Sequence, residues 1–315
     1  SAASDVYKRQ VVTQMLVKYG LWGFMKSNLT KSVVVLAGFA LLYVLTRIPL
    51  VHVGERVVSC DSALAALLFK KGSFAYFLMK HLLSCIIPLI TVAIVCKGKN
   101  ILECWGLRRN FLKGWAVGLL CCIPMLVCNL IAGHVEFGWD KLFLGAVFAG
   151  LFEELIYRGF LFGVLHRYCG WRFIWAALPA AVLFTLGHFY QSHDFVSGLQ
   201  VFCVTALGSL FFSWLYMVWD NNLWVPISFH IMMNGIWVLI PIADATSSVG
   251  SIAANIGRLL TVALAVTLTV FTRSVSRNGL IVSESRVYAL LNREAMNMSV
   301  HYDVDKNLLY AVAAF

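Results

Sequence analysis

Four polar side chains lie in segments of the sequence that are otherwise apolar, and their types suit hydrolysis. Glu153 lies in FAGLFEELIYRGFLFG, His188 ends FTLGH, and His230 and Asn234 lie four residues apart in FHIMMNGIW. A buried carboxylate beside an imidazole can act as a general base toward a water molecule. The imidazole and amide of the last segment can donate hydrogen bonds to a developing oxyanion. Together these side chains predict hydrolysis by an activated water.

Three charges fall within the segment that contains Glu153. Each costs about 2.5–3.5 kcal/mol at the centre of a bilayer on insertion scales. Glu154 and Arg158 are four residues apart and can pair on one side of a helix. Glu153 projects about 100° away from Glu154 on a helix of 3.6 residues per turn, without a partner on its own helix. Both glutamates could instead lock neighbouring helices through hydrogen bonds, but an intramembrane carboxylate is a functional candidate by default.

The remaining candidates lie on two other apolar segments. Phe184 and His188 are four residues apart, so that an aromatic ring and an imidazole share a helix face. Taken alone, His188 also fits an ordinary histidine at a membrane interface. His230 and Asn234 share a face in the same way, and burying such groups without partners is costly. We therefore expect three helices to bring their polar groups together around a wet cavity.

The composition excludes a water-soluble protein. The 315 residues are 60% hydrophobic and 13% charged, with a mean hydropathy of +0.81, whereas a soluble domain has about 25% charged residues. The net charge of +10 is spread over tails and short loops, which favours a role in membrane topology and argues against a nucleic-acid partner. The nine cysteines lie mostly in apolar segments without a CxxC pair, and we assign them to helix packing.

The hydrophobic segments predict an all-α, polytopic transmembrane helical bundle with about eight spans. Lipid tolerates no unpaired backbone groups, and the segments are too long and too uniformly apolar for barrel strands. We expect one membrane domain over residues 32–271, flanked by tails at residues 1–31 and 272–315. The candidate spans are residues 32–50, 73–96, 115–133, 141–165, 173–190, 197–218, 222–242 and 252–271.

The distribution of basic residues predicts that both termini lie in the cytosol. Lys and Arg concentrate in the two tails and in the loop after the second span, as the positive-inside rule requires. The first external segment disagrees, because it carries Arg47, Arg56, Lys70 and Lys71. The first apolar segment is followed by no convincing small-residue cleavage site, so we interpret it as a span and not as a signal peptide.

Three motifs resemble those of a known family. EELIYR at residues 153–158, FTLGH at 184–188 and HIMMN at 230–234 resemble the EExxxR, FxxxH and HxxxN/B motifs of the CPBP family of intramembrane proteases, which includes the CAAX prenyl endopeptidases and their bacterial relatives. The motifs occur in the family's order, on separate predicted spans, and the resemblance covers residues 141–237. It implies that Glu153 activates water with His188, and that His230 and Asn234 bind the oxyanion. Glu154, Arg158 and Phe184 fall on supporting positions of these motifs.

The resemblance implies cleavage of a peptide bond in a membrane-associated peptide or protein, CAAX-like or other, without a covalent acyl intermediate. We expect a multi-pass protein of the bacterial cytoplasmic membrane whose partners are its substrate and the lipid bilayer. We expect no cofactor, because the HExxH signature is absent. Zn²⁺ held by Glu153, His188 and His230 with an open water position remains an alternative, which would make the protein a metalloprotease.

Two other function classes fit part of the pattern. A non-catalytic membrane scaffold or bacteriocin-immunity protein of the same fold would keep the motifs without needing their chemistry. A proton-coupled transporter would also need membrane-embedded Glu and His, but the sequence contains no inverted repeat with paired broken helices. The pattern predicts neither the native substrate nor the oligomeric state.

Overall fold

The computed structural model describes residues 21–53, 56–242 and 249–275, and these residues are mostly helical. Most of both predicted tails lies outside the described residues. Helix α1 (Leu21–Arg47) leads into a short hairpin, in which β1 (Val51–Val53) pairs antiparallel with β2 (Arg56–Val58). This hairpin is not predictable from the sequence, because each strand has only three residues and shows no alternating pattern longer than that.

Helices form the rest of the described chain. A central helix, residues 141–168, consists of two π-helical segments, Lys141–Glu153 and Leu155–Phe162, and an α-helical end, Gly163–Tyr168. Before it lie α2 (Cys60–Leu68), α3 (Phe74–Ser84), α4 (Ile86–Cys96), α5 (Ile101–Trp105), α6 (Phe111–Cys121) and α7 (Ile123–Ala132). After it lie α8 (Phe173–Leu186), a 3₁₀ turn (Phe189–Gln191), α9 (Phe195–Val218), α10 (Trp224–Leu239) and α11 (Ile252–Val275).

Among the described residues, four stretches are long and apolar enough to cross a membrane, by length and composition: Asn28–Arg47, Phe74–Cys96, Phe195–Val218 and Ile252–Thr272. The pair α6 and α7, bent by 40°, makes a fifth if it counts as one span. A helical membrane bundle is therefore confirmed, but eight spans are not. Helices α8 and α10 have 14 and 16 residues, fewer than the roughly 20 that cross a bilayer. The central helix is mostly π-helical and carries three charges in its middle.

The central helix is the core of the bundle, and it packs most extensively against α10. Its residues Phe160, Leu161, Phe162 and Leu165 are fully buried, which explains why this segment is apolar on every face. The two helices approach closely at Gly150, where a Cβ atom would lie 2.7 Å from the backbone nitrogen of Ile231. Gly150 therefore sets the distance between the helix that carries Glu153 and the helix that carries His230.

We expect Gly150→Ala to lower the free energy of unfolding by about 1–3 kcal/mol, the usual cost of overpacking a tight contact. The matched control is Gly208→Ala in α9, where a Cβ atom would meet nothing within 4 Å. The control should be neutral or should stabilise the helix by about 0.5–1 kcal/mol. Thermal unfolding of both variants in detergent checks this, and equal melting temperatures would show that Gly150 does not set the spacing.

Candidate active site

A buried ion pair lies beneath the candidate site. Arg158 Nη1 donates a hydrogen bond of 2.8 Å to Glu154 Oε1, and both side chains are fully buried. The guanidinium contacts the rings of Phe184 and Phe212, 4.7 and 5.3 Å from their centroids. The spacing along the helix predicts the ion pair, and the two rings stabilise the Arg158 cation by cation–π contact.

Besides Arg158, Glu154 binds a second side chain, and the spacing of residues along the sequence does not predict this contact. His230 Nδ1 donates to the same Oε1 atom of Glu154 over 2.7 Å. A carboxylate paired with Arg158 is an acceptor only, so Nδ1 must carry the proton of the imidazole. The other ring nitrogen, Nε2, is then the one that can exchange a proton with the site. Glu154 thus fixes both the orientation and the tautomer of His230.

Glu153 points away from this ion pair and into open space. Its side chain is 27% exposed, and its Oε2 lies 3.8 Å from His230 Nε2. That separation is too long for a direct hydrogen bond, but one water molecule can contact both atoms. Glu153 also lines a cavity of about 350 Å³ between α1, α3 and the central helix. Of the two adjacent glutamates, Glu153 is the one that reaches the cavity.

His188 lies just after the end of α8, at the start of the 3₁₀ turn. Its Nδ1 is 2.8 Å from the carbonyl oxygen of Phe184, so Nδ1 donates and Nε2 is the acceptor of the neutral ring. The ring of Phe184 lies 4.4 Å from that of His188 and 6.4 Å from that of His230. Within the described residues, no hydrogen bond or ion pair joins His188 to Glu153.

Asn234 lies on α10, one turn after His230. Its Nδ2 donates to the carbonyl oxygen of Gly145, 3.2 Å away on the central helix. One of its two amide hydrogens is used in this bond. The structure thus brings Glu153, Glu154, Arg158 and His230 together, with Phe184 beside them. Among the described contacts, the hydrogen bonds of His188 and Asn234 go to backbone carbonyls at the edge of this group.

Comparison with known protein families finds a similarity in this region. Residues 136–236 match a family described as type II CAAX prenyl endopeptidase, Rce1-like. This segment of the chain is similar to that family. The match confirms the family resemblance over these residues, and it spans all seven side chains singled out from the sequence. No curated protein and no solved structure matches the chain.

The cavity beside the Rce1-like segment also contains a side chain that the sequence analysis did not single out. His81, on α3, lines the same cavity as Glu153. Its ring lies 5.0 Å from that of Phe152 and 5.3 Å from that of Phe148. His81 lies outside the family motifs and far from them in sequence, so only the packing of α3 on the central helix could reveal it.

The side chains of the Rce1-like site, as placed, do not form a ligand set for Zn²⁺. In the described part of the chain, no three His, Cys, Asp or Glu side chains are grouped so that they could hold a metal ion. The Nδ1 atoms of His188 and His230 both bond acceptors of the protein, so only Nε2 of each ring is available to a ligand. Zn²⁺ ligands lie about 2.0–2.2 Å from the ion, and Glu153, His188 and His230 do not converge on one point in this way.

Proposed function

We propose that this protein is an intramembrane endopeptidase in which Glu153 activates the water that hydrolyses a peptide bond. The observation that carries the proposal is that two adjacent glutamates have different surroundings. Glu154 is fully buried and bound to Arg158 and His230, whereas Glu153 lines the cavity close to His230 Nε2. The match to a protease family over the same residues supports the assignment.

The proposed reaction begins with water held by Glu153 and by Nε2 of His188. Glu153 takes one proton as the water oxygen bonds to the carbonyl carbon of the substrate. The carbonyl oxygen becomes an oxyanion, which accepts hydrogen bonds from Asn234 and from Nε2 of protonated His230. Glu154 supports the second of these bonds, because its carboxylate at Nδ1 stabilises the His230 imidazolium. The C–N bond then breaks as the amide nitrogen gains a proton, and the products are a carboxylate and an amine.

The proposed substrate is a membrane-associated peptide or protein, CAAX-like or other. The proposed catalytic core is residues 141–237, within a membrane domain over residues 32–271. The apolar helices and the family match together indicate a membrane protein. We propose the bacterial cytoplasmic membrane as its location, with both termini in the cytosol.

The experiment that tests the proposal compares wild-type protein with Glu153→Ala at matched abundance in the same cells. New peptide termini in the membrane fraction are profiled by mass spectrometry. We expect a set of termini that appears with the wild type and is absent with the variant, and that set also identifies the substrates. Indistinguishable profiles would favour the second candidate function, a non-catalytic scaffold or immunity protein.

We expect this activity to be independent of metal ions. The reason is that the site side chains do not converge as Zn²⁺ ligands among the described residues. Membranes that contain the wild-type protein are treated with a strong chelator before the release of termini is measured, and the rate should change by less than about twofold. Loss of activity that added Zn²⁺ restores would contradict this expectation.

A further inference from the structure

We propose that His81 is a further catalytic residue, which donates the proton to the departing amine when the peptide bond breaks. The inference rests on the proposed hydrolase function and adds a group from outside the matched segment. Helix α3 carries His81, and the family match begins only at residue 136.

The cavity beside Glu153 is where a substrate segment can reach that carboxylate. Within the described residues, its lining does not include His188, His230 or Asn234. A peptide in this cavity therefore meets Glu153, whose Oε2 lies 3.8 Å from His230 Nε2, among the side chains of the cavity wall. The titratable side chains of the cavity wall come from α1, α2, α3 and the central helix: Tyr43, Arg47, Asp61, Lys80, His81, Glu153 and Tyr157.

Most of these groups are poorly suited to proton transfer near neutral pH. Asp61 is buried at the start of α2, where it accepts hydrogen bonds from Ser59 Oγ and from the backbone nitrogen of Ser62, at 2.5 and 2.7 Å. Arginine and lysine keep their protons, and phenols ordinarily titrate near pH 10. An imidazole changes its charge between about pH 5 and 8, which is the range that acid catalysis in a cell requires.

The contacts of His81 determine which of its ring nitrogens can exchange a proton. Nδ1 lies 2.7 Å from the carbonyl oxygen of Phe77, one turn earlier on α3, so Nδ1 carries a proton. Nε2 is then the nitrogen that gains and loses the exchangeable proton. The rings of Phe148 and Phe152 pack against the imidazole, and Phe152 directly precedes Glu153 in the chain.

Every proton transferred in this step comes from a group in the cavity and returns to one. Protonated His81 gives its Nε2 proton to the amide nitrogen as the C–N bond breaks, and the amine leaves with the bonding electron pair. Glu153 holds the proton that it took from water. That proton passes through cavity water to His81 Nε2, which restores the carboxylate and the imidazolium for the next turnover.

The test uses full-length protein in membranes from expressing cells, with the endogenous membrane proteins as the probe. Wild type, Glu153→Ala, His81→Gln, His81→Asn and His166→Gln are compared at equal abundance. His166 is the matched control, because its Nδ1 also bonds a backbone carbonyl, that of Trp171 at 2.8 Å, and its ring also packs on a phenylalanine, Phe162. It lies outside the cavity lining. The release rate of Glu153-dependent termini is measured across roughly pH 5 to 8, together with thermal unfolding in detergent.

We expect both His81 variants to release these termini about 100-fold more slowly than wild type, as loss of a general acid predicts. They should also lose the decline of rate on the alkaline side, since deprotonation of His81 no longer limits the reaction. His166→Gln should keep the wild-type rate and pH profile. Melting temperatures equal to wild type would show that the His81 variants fold.

Three results would overturn the proposal, and they are distinguishable. In the first, His81→Gln and His81→Asn release the Glu153-dependent termini at the wild-type rate and with the wild-type pH profile. That result would remove the role of His81 and leave the proposed function intact. In the second, the wild type and Glu153→Ala give the same set of peptide termini. That result would remove the proposed function and this inference with it. A slower rate with an unchanged pH profile would assign His81 to packing alone.

Discussion

Replacing Glu153 with glutamine should slow the release of new termini by at least about 100-fold, the lower range for loss of a general base. Glutamine keeps the size of the side chain and its hydrogen bonding, but it cannot take a proton from water. We propose this role for Glu153 because its partly exposed carboxylate lines the cavity near His230. The measurement is the initial rate at which Glu153-dependent termini appear in membranes that contain equal amounts of each protein.

The control for this prediction is Glu103→Gln. Glu103 lies on α5, its side chain is exposed, and it does not line the cavity. The same loss of one negative charge there should leave the rate unchanged. If Glu153→Gln and Glu103→Gln both kept the wild-type rate, Glu153 would not be the base, and the scaffold function would become the better account.

Replacing Arg158 with methionine should lower the free energy of unfolding by about 3–5 kcal/mol, the usual result of removing one partner from a buried ion pair. The cause is Glu154, whose fully buried carboxylate would lose its cation. Arg158→Lys should recover only part of this loss, because lysine lacks the planar guanidinium that contacts Phe184 and Phe212. Chemical unfolding in detergent micelles measures each variant.

The double variant Glu154→Leu with Arg158→Met separates the buried charge from the packing. Removing both partners should restore most of the lost stability, because no unpaired charge remains. Its hydrolytic activity should stay low, since His230 loses the carboxylate at Nδ1. Exposed Arg109 provides the control, and Arg109→Met should leave stability unchanged. Wild-type stability in Arg158→Met would show that the ion pair contributes little to the fold.

The parts of this site that the sequence predicts are those set by local geometry. The spacing of Glu154 and Arg158 along one helix is enough to predict their ion pair, and the pair is present. The hydrogen bond from His230 to Glu154 joins residues 76 positions apart and follows from how α10 packs on the central helix. His81 depends on packing in the same way, because α3 and the central helix meet only in the folded protein.

Hydropathy predicts apolar segments better than it predicts where helices end. The segment at residues 173–190 extends past the end of α8 at Leu186, because the Gly187 and His188 that follow belong to a turn of different geometry. The segment at residues 115–133 contains a 40° bend between α6 and α7, where Pro124 lies in the first turn of the second helix. Hydrophobicity continues across both points, so it gives no sign of either change in the backbone.

The most direct test of the account is hydrolysis in ¹⁸O-labelled water. Membranes that contain wild-type protein or Glu153→Gln at equal abundance are incubated in this water, and the peptides that end at new cleavage sites are analysed by mass spectrometry. We expect one ¹⁸O atom in the new carboxylate of each wild-type product and no such products with the variant. Labelled products at equal rates from both proteins, or from neither, would contradict a peptidase whose water is activated by Glu153.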